Sequence, residues 1–229
     1  MSISRKFCLA AIVLLSAVQA WGQSVSILGD SYSTYEGCIP KGNAVWYHEP
    51  ANLSSTDVTS VDQTWWSLLV KECGYTLLMN DSYSGATISF TGYHQADYSD
   101  RSFITRLPRL GNPDIILIFG GTNDSWAGVE VGEYKYSHAR REDLYTYRPA
   151  LAWLLEYACK LYPDKAIYFI LNDRLREDIT ESTMTICSHY GIPVIRLNDI
   201  DKMAGHPTVL GMQQIAAQVK AAIALARQN

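Results

Sequence analysis

The sequence predicts an α/β fold, a three-layer α/β/α sandwich built on a five-stranded parallel sheet. Three observations lead there. Strand-like and helix-like patterns alternate along the chain from Val25 onward, which implies parallel strands joined by crossover helices. The run "IILIFGG" at 115–121 is apolar without interruption, the signature of a strand buried on both faces. Two long segments with neither pattern, 32–63 and 125–141, follow strands. Long loops inside a compact domain are usually functional, and open α/β sheets hold ligands at the carboxyl ends of their strands.

Each element has its own signal. "VSIL" (25–28) reads as the first strand and "TWWSLLVKECG" (64–74) as a helix stopped by Gly74. "YTLLMN" (75–80) is the second strand, and the apolar run at 115–121 the third. "DLYTYRPALAWLLEYACKLYP" (143–163) places Leu151, Leu154, Leu155 and Ala158 at helical spacing, with Pro149 near the start. "KAIYFILN" (165–172) is the fourth strand, "REDITESTMTICSHYG" (176–191) a helix closed by Gly191, and "PVIRLND" (193–199) the fifth strand. The last helix, 208–228, carries a stripe of Val209, Met212, Ile215, Ala216, Val219 and Ile223.

The chain has 229 residues, 48% hydrophobic and 18% charged, an ordinary globular composition. No linker, repeat or low-complexity tract divides it, so one domain is expected over 23–229. A net charge of −4 offers no field for nucleic acid. The short basic clusters "RSFITR" (101–106) and "HARRE" (138–142) read as solvated helix faces. Residues 1–22 have the layout of a secretory signal peptide: Arg5 and Lys6, an apolar run from Phe7 to Leu15, then small residues. The expected location is therefore secreted or periplasmic, and nothing after Gln23 reads as a membrane span. Beyond the signal remain Cys38, Cys73, Cys159 and Cys187. None makes a Cys-x-x-Cys motif; two disulfides and four buried thiols are both open.

Four short motifs fall where a parallel sheet delivers its loops to one rim: "GDS" (29–31), "NDSYSG" (80–85), "GGTND" (120–124) and "GHPT" (205–208). Together they hold what acyl transfer needs. A serine hydroxyl is a weak nucleophile until a base lies within hydrogen-bond reach. Ser31 is the candidate nucleophile, and His206 the candidate base. The oxyanion formed on attack needs donors, and the N–H groups of Ser31 and Gly85 with the Asn123 amide are the candidates. Asp30 and Asp124 read as cap or loop-tying residues. The loop aromatics Tyr32, Tyr35, Trp46, Tyr47 and Trp126 serve either packing or a platform for a sugar ring or acyl chain.

This set, GDS, a glycine block, GTND and a late His-Pro, resembles the SGNH (GDSL-type) serine hydrolase superfamily over nearly the whole chain after the signal. The resemblance implies a flavodoxin-like α/β/α fold and esterase or deacylase activity without metal or organic cofactor. Its substrate is expected to be a small-molecule or glycan ester. It assigns Ser31 as nucleophile, His206 as base, and Ser31, Gly85 and Asn123 as the oxyanion hole.

One departure stands out. The family places its triad acid three residues before the histidine, and here that position is Met203. In "DIDKMAGHP" the expected substitute is Asp201, reached through a loop lengthened by two residues; a backbone carbonyl or Asp199 are the alternatives. Two other functions use the same rim. A metal-dependent phosphoesterase would take Asp30, Asn123, Asp124, Asp201 and His206 as ligands. A non-catalytic carbohydrate-binding module would use only the surface of the rim.

Overall fold

The structure, a computed structural model, describes residues 22–228. The signal-peptide reading of 1–22 therefore lies almost wholly outside the described residues. Five parallel strands form one sheet: β1 (Ser24–Gly29), β2 (Thr76–Ser82), β3 (Ile115–Phe119), β4 (Ala166–Leu171) and β5 (Val194–Arg196). Their spatial order is β2-β1-β3-β4-β5, the flavodoxin-like order, with the topological switch between β1 and β3.

The alternation along β3 shows how the sheet sorts its two faces. Ile115, Leu117 and Phe119 point to a layer made by α1 (Trp65–Cys73) and α6 (Val209–Ala226). Ile116 and Ile118 point to the other layer, made by α2 (Phe103–Arg106), α4 (Tyr147–Leu161) and α5 (Glu177–His189). All five β3 side chains are buried, so the unbroken apolar run follows directly from cover on both faces.

Helix ends follow local chemistry. The Thr64 hydroxyl accepts from the Ser67 N–H at the start of α1, and Gly74 closes it at φ +64°. The Thr208 hydroxyl caps α6 in the same way, accepting from the Gly211 N–H at 3.1 Å. By length and composition α6 is apolar enough to cross a membrane, yet its stripe of Met212, Ile215, Ala216, Val219 and Ile223 is spent on the sheet. The helix expected over 143–163 begins later: Thr146 is extended, which separates a 3-10 turn at Arg141–Tyr145 from α4, and Pro149 sits in the first turn of α4.

One sequence expectation is corrected. "RSFITR" is not a solvated face, because Arg106 is fully buried. Its guanidinium donates to the carbonyls of Gly29, at 3.1 Å, and of Asp81, where β1 and β2 end, and its Nε donates to Arg101 O at 2.8 Å. The Asp81 carboxylate lies 3.6 Å away. Burial lowers the guanidinium only to about 10, so it stays charged at neutral pH and clamps both strand ends. Of the two cysteine readings left open, the free thiols are found: among the described residues Cys38, Cys73, Cys159 and Cys187 form no disulfide, and Cys187 is buried while the other three are half-buried.

Candidate active site

The first motif turns sharply out of β1. Gly29 allows this because a Cβ there would lie 2.5 Å from Ser82 Oγ and 2.8 Å from the Ser33 side chain. Asp30 caps the 3-10 turn Ser31–Ser33 by accepting from the Tyr32 N–H at 3.0 Å. The carboxyl is fully buried, and burial raises it to about 7, with the Tyr32 N–H and the Thr122 hydroxyl opposing the shift. Asn80, in β2, holds the same turn through Nδ2 to Ser33 O at 2.9 Å. Ser31 is thus fixed at the mouth of β1, buried at 3% exposure.

His206 reaches Ser31 from the far end of the chain. Its Nε2 lies 2.9 Å from Ser31 Oγ. The loop before it is not a simple lengthened turn. Lys202–Met203 (β6) pairs antiparallel with His206–Pro207 (β7), and Met203 stands opposite His206. The two turn residues, Ala204 at φ +47° and Gly205 at φ +80°, both have the positive φ that a two-residue type I′ hairpin demands. For Ala204 that conformation is strained by about 1–2 kcal/mol.

The hairpin is anchored from three sides. Tyr32 Oη donates to Gly205 O at 2.6 Å, and Tyr47 Oη donates to Pro207 O at 2.9 Å. Lys202 Nζ donates to Asn172 Oδ1 at 3.1 Å and pairs with the Asp173 carboxylate. These anchors place the Ala204 carbonyl 3.2 Å from His206 Nδ1.

Asp201 does not reach the ring. Its carboxylate accepts from the Thr208 hydroxyl at the head of α6, its backbone N–H donates to Gln214 Oε1 at 2.8 Å, and the residue is exposed. Asp199 is exposed too and lines a groove at the ends of β4 and β5. The reason lies in the hairpin: its pairing turns residues 199–201 away from the ring and puts a backbone carbonyl in the acid's place. Asp201→Ala is accordingly expected to keep kcat/KM for an activated ester within about threefold, where loss of a true triad acid costs orders of magnitude. Steady-state kinetics on the purified variant check this.

The third motif supplies the amide. Gly121 opens α3 (Thr122–Trp126), which carries Asn123 and Asp124 inward. Asn123 Nδ2 donates to Ala86 O at 2.9 Å, which holds the amide beside Gly85. Tyr93 Oη donates to Asn123 Oδ1 at 2.8 Å, which fixes the amide so that its nitrogen faces the Gly85 turn. Asp124 accepts from the N–H groups of Ile88 at 2.8 Å and Ser89 at 3.0 Å, tying the loop after β2, and burial raises it to about 6. Both buried aspartates therefore organise backbone.

His206 sits among aromatic rings. Trp46 stacks on it with centroids 3.5 Å apart and planes at 9°. Tyr32, Trp126 and Tyr47 approach at 5.4, 5.8 and 6.4 Å. Burial holds the imidazole down at about 4, with the Ala204 carbonyl opposing the shift and Lys202 adding to it. At neutral pH the ring is therefore an uncharged base in hydrogen-bond contact with a serine hydroxyl. Among the described residues no three of His, Cys, Asp and Glu converge as a metal-ligand set. Two groups were not legible in the sequence: Tyr93 and Arg106. Tyr93 lies in a stretch without periodicity, and Arg106 acts on backbone carbonyls; the carbonyl alternative for the ring is met by Ala204.

The comparison that decides the family is a model described as GDSL-like lipase/acylhydrolase, which matches residues 23–223. The chain belongs to this family. It is a hydrolase acting on ester bonds. A candidate GDSL-like lipase from Bacteroides ovatus is 53% identical, with a TM-score of 0.85 over 91% of this chain and 99% of its own. Another from Bacteroides uniformis is also 53% identical, with a TM-score of 0.88 over 89% and 96%. An acetyl xylan esterase from Butyrivibrio proteoclasticus shares the fold at 15% identity, with a TM-score of 0.60 over 91% of this chain and 64% of its own. Among curated proteins none matches. The GDSL-like family and the α/β/α fold implied by the four motifs are both found.

Proposed function

We propose that the protein is an exported serine esterase that forms an acyl-enzyme on Ser31 and releases short acyl groups, with a carbohydrate as the alcohol. The single observation that carries the mechanism is the 2.9 Å contact between Ser31 Oγ and His206 Nε2 at the carboxyl end of β1. In the first step the Ser31 oxygen attacks the ester carbonyl while its proton passes to Nε2. The carbonyl electron pair moves onto oxygen, where the N–H groups of Ser31 and Gly85 and the Asn123 amide receive it. The tetrahedral species then collapses, and the proton on Nε2 passes to the leaving alkoxide. Water repeats the sequence on the acyl-enzyme with His206 again as base. The ring's orienting acceptor is the Ala204 carbonyl, so the unit is a Ser-His dyad. No cofactor takes part in these steps.

The substrate class rests on the surroundings. Ser31 and His206 are 3% and 6% exposed and enclosed by Tyr32, Trp46 and Tyr47, which suits an acyl group of few carbons. Trp126 keeps 43% of its surface exposed at the edge of the His206 ring, and such a face stacks on a sugar. A groove of about 650 Å³ at the same sheet edge is lined by Asn172, Asp173, Arg174 and Arg196, polar groups suited to hydroxyl-rich alcohols. The acetyl xylan esterase of the same fold acts on an acylated glycan, which agrees. Export rests on Arg5, Lys6 and the apolar run that follows them.

Hydrolysis of p-nitrophenyl esters of increasing chain length, followed against pH, tests this reading. Acetate and propionate are expected to exceed octanoate in kcat/KM by at least about tenfold. Because the base must be neutral, and burial holds it to about 4, kcat/KM is expected to stay level from pH 8 down to about 5 and to fall with an acid limb near pH 4. A preference for long chains contradicts the reading; a limb at the ordinary imidazole value, about 6.5, contradicts the burial of the base.

A further inference from the structure

We propose that the indole face of Trp46 stabilises the imidazolium that His206 becomes when it takes the Ser31 proton, the part that a carboxylate plays in a Ser-His-Asp triad. The proposal rests on the acyl-enzyme reading above. It makes Trp46 a positioning and electrostatic residue acting through His206, not one that touches the reacting atoms.

The charge balance poses the problem. As the Oγ–H bond breaks and the Oγ–C bond forms, the oxyanion gains a negative charge and the ring a positive one. The oxyanion has its donors. The ring has Ser31 Oγ at Nε2, the Ala204 carbonyl at Nδ1, and the edges of Tyr32, Tyr47 and Trp126 around it. The charged side chain nearest by chain and field is Lys202, whose positive charge opposes protonation. Among the described residues no carboxylate accepts from the ring. Burial therefore disfavours the imidazolium, and a single carbonyl dipole is left to offset it.

Trp46 supplies the missing stabilisation by geometry. Its ring lies parallel to the imidazole at 3.5 Å, well inside the range of about 6 Å where a cation over an aromatic face is attracted, and tryptophan has the strongest such face. The attraction grows when the pair is removed from water, and His206 is buried. Both partners are tied to one turn. The Trp46 N–H donates to Thr34 Oγ1 at 2.9 Å, and that hydroxyl donates to Ser31 O at 3.0 Å. Asn52 Nδ2 donates to Trp46 O at 3.2 Å from the other side. The indole N–H is buried with no acceptor among the described residues, so the ring's tilt is set by the stack and not by a hydrogen bond of its own. The sequence carries Trp46 only as a loop aromatic; the fold turns it into the partner of the base.

The test is the pH profile of kcat/KM for p-nitrophenyl acetate in wild type, Trp46→Leu and Trp46→Phe, with folding followed by thermal melting over the same pH range. Leucine stays apolar but removes the π face. Trp46→Leu is expected to lower the plateau about tenfold and to move the acid limb about one unit to lower pH, since one unit is one factor of ten. Trp46→Phe, with a weaker face, is expected to fall between it and wild type in both. A role in packing alone predicts the opposite sign: water reaches the ring and the limb rises or stays, with both variants alike. That outcome overturns the proposal. If Trp46→Leu does not fold, Trp46→Phe decides it by the same shift, and an unmoved limb overturns it. Ser31→Ala, run alongside, separates the two claims, because activity that survives it refutes the serine mechanism, whatever Trp46 does.

Discussion

Ser31→Ala is expected to lower kcat for p-nitrophenyl acetate by about 10⁴-fold or more while KM changes little. The hydroxyl forms the covalent bond, and His206 has no other acceptor of its catalytic function, so removing either partner removes the nucleophile–base unit as a whole. What remains is the contribution of the oxyanion donors and of substrate placement, which in serine hydrolases leaves a residual rate above that of water. The fold is not expected to suffer. Ser31 holds its turn through its backbone, where Thr34 donates to its carbonyl, and Asp30 caps the turn through the Tyr32 N–H. An unchanged melting temperature beside the lost rate is therefore part of the expected result. His206→Ala is expected to match it in rate.

Asn123→Ala is expected to cost about 10²–10³-fold in kcat, the range for one side-chain donor of an oxyanion hole. The control is Asn123→Asp, which keeps the shape and can still face Tyr93 but places a carboxylate where the oxyanion forms. If Asn123 acts as a donor, the aspartate variant loses at least as much as the alanine variant. If Asn123 only ties the loop at Ala86, a bond its Nδ2 donates and a carboxylate cannot, both variants lose melting temperature together with rate; an unchanged melting temperature beside the lost rate assigns the loss to the oxyanion. Stopped assays with enzyme at micromolar concentration reach the residual activity of both.

Much of the fold was legible because parallel sheets leave a strong signal. The β3 run, the two helical stripes and the glycines after α1 and α5 each report a constraint that operates within a few residues. Helix starts were less legible: Thr146 is extended although its neighbours have helical spacing, since a 3-10 turn and α4 abut there. Short elements such as α2 and the β6–β7 hairpin have too few residues to show a period at all. The site divides the same way. Ser31, Gly85, Asn123 and His206 stand in motifs, and the structure brings Ser31 to His206 and Asn123 to the Gly85 turn. Asp201 is favoured only by its distance along the chain, and the hairpin decides otherwise through pairing of Met203 with His206. Arg106 departs from its expected place because a basic cluster near a helix is normally solvated, and nothing local announces that two strand carbonyls take a buried donor. The Trp46 stack joins a residue of the first loop to one of the last, a contact only the assembled sheet creates.

The most direct measurement of the dyad mechanism is peptide mapping after labelling with a serine-directed fluorophosphonate, on wild type, Ser31→Ala and Asp201→Ala at neutral pH. The account predicts a single phosphonate adduct on Ser31 in wild type, the same adduct at a similar rate in Asp201→Ala, and none in Ser31→Ala. Labelling at another residue, or its disappearance in Asp201→Ala, would contradict a Ser31–His206 dyad.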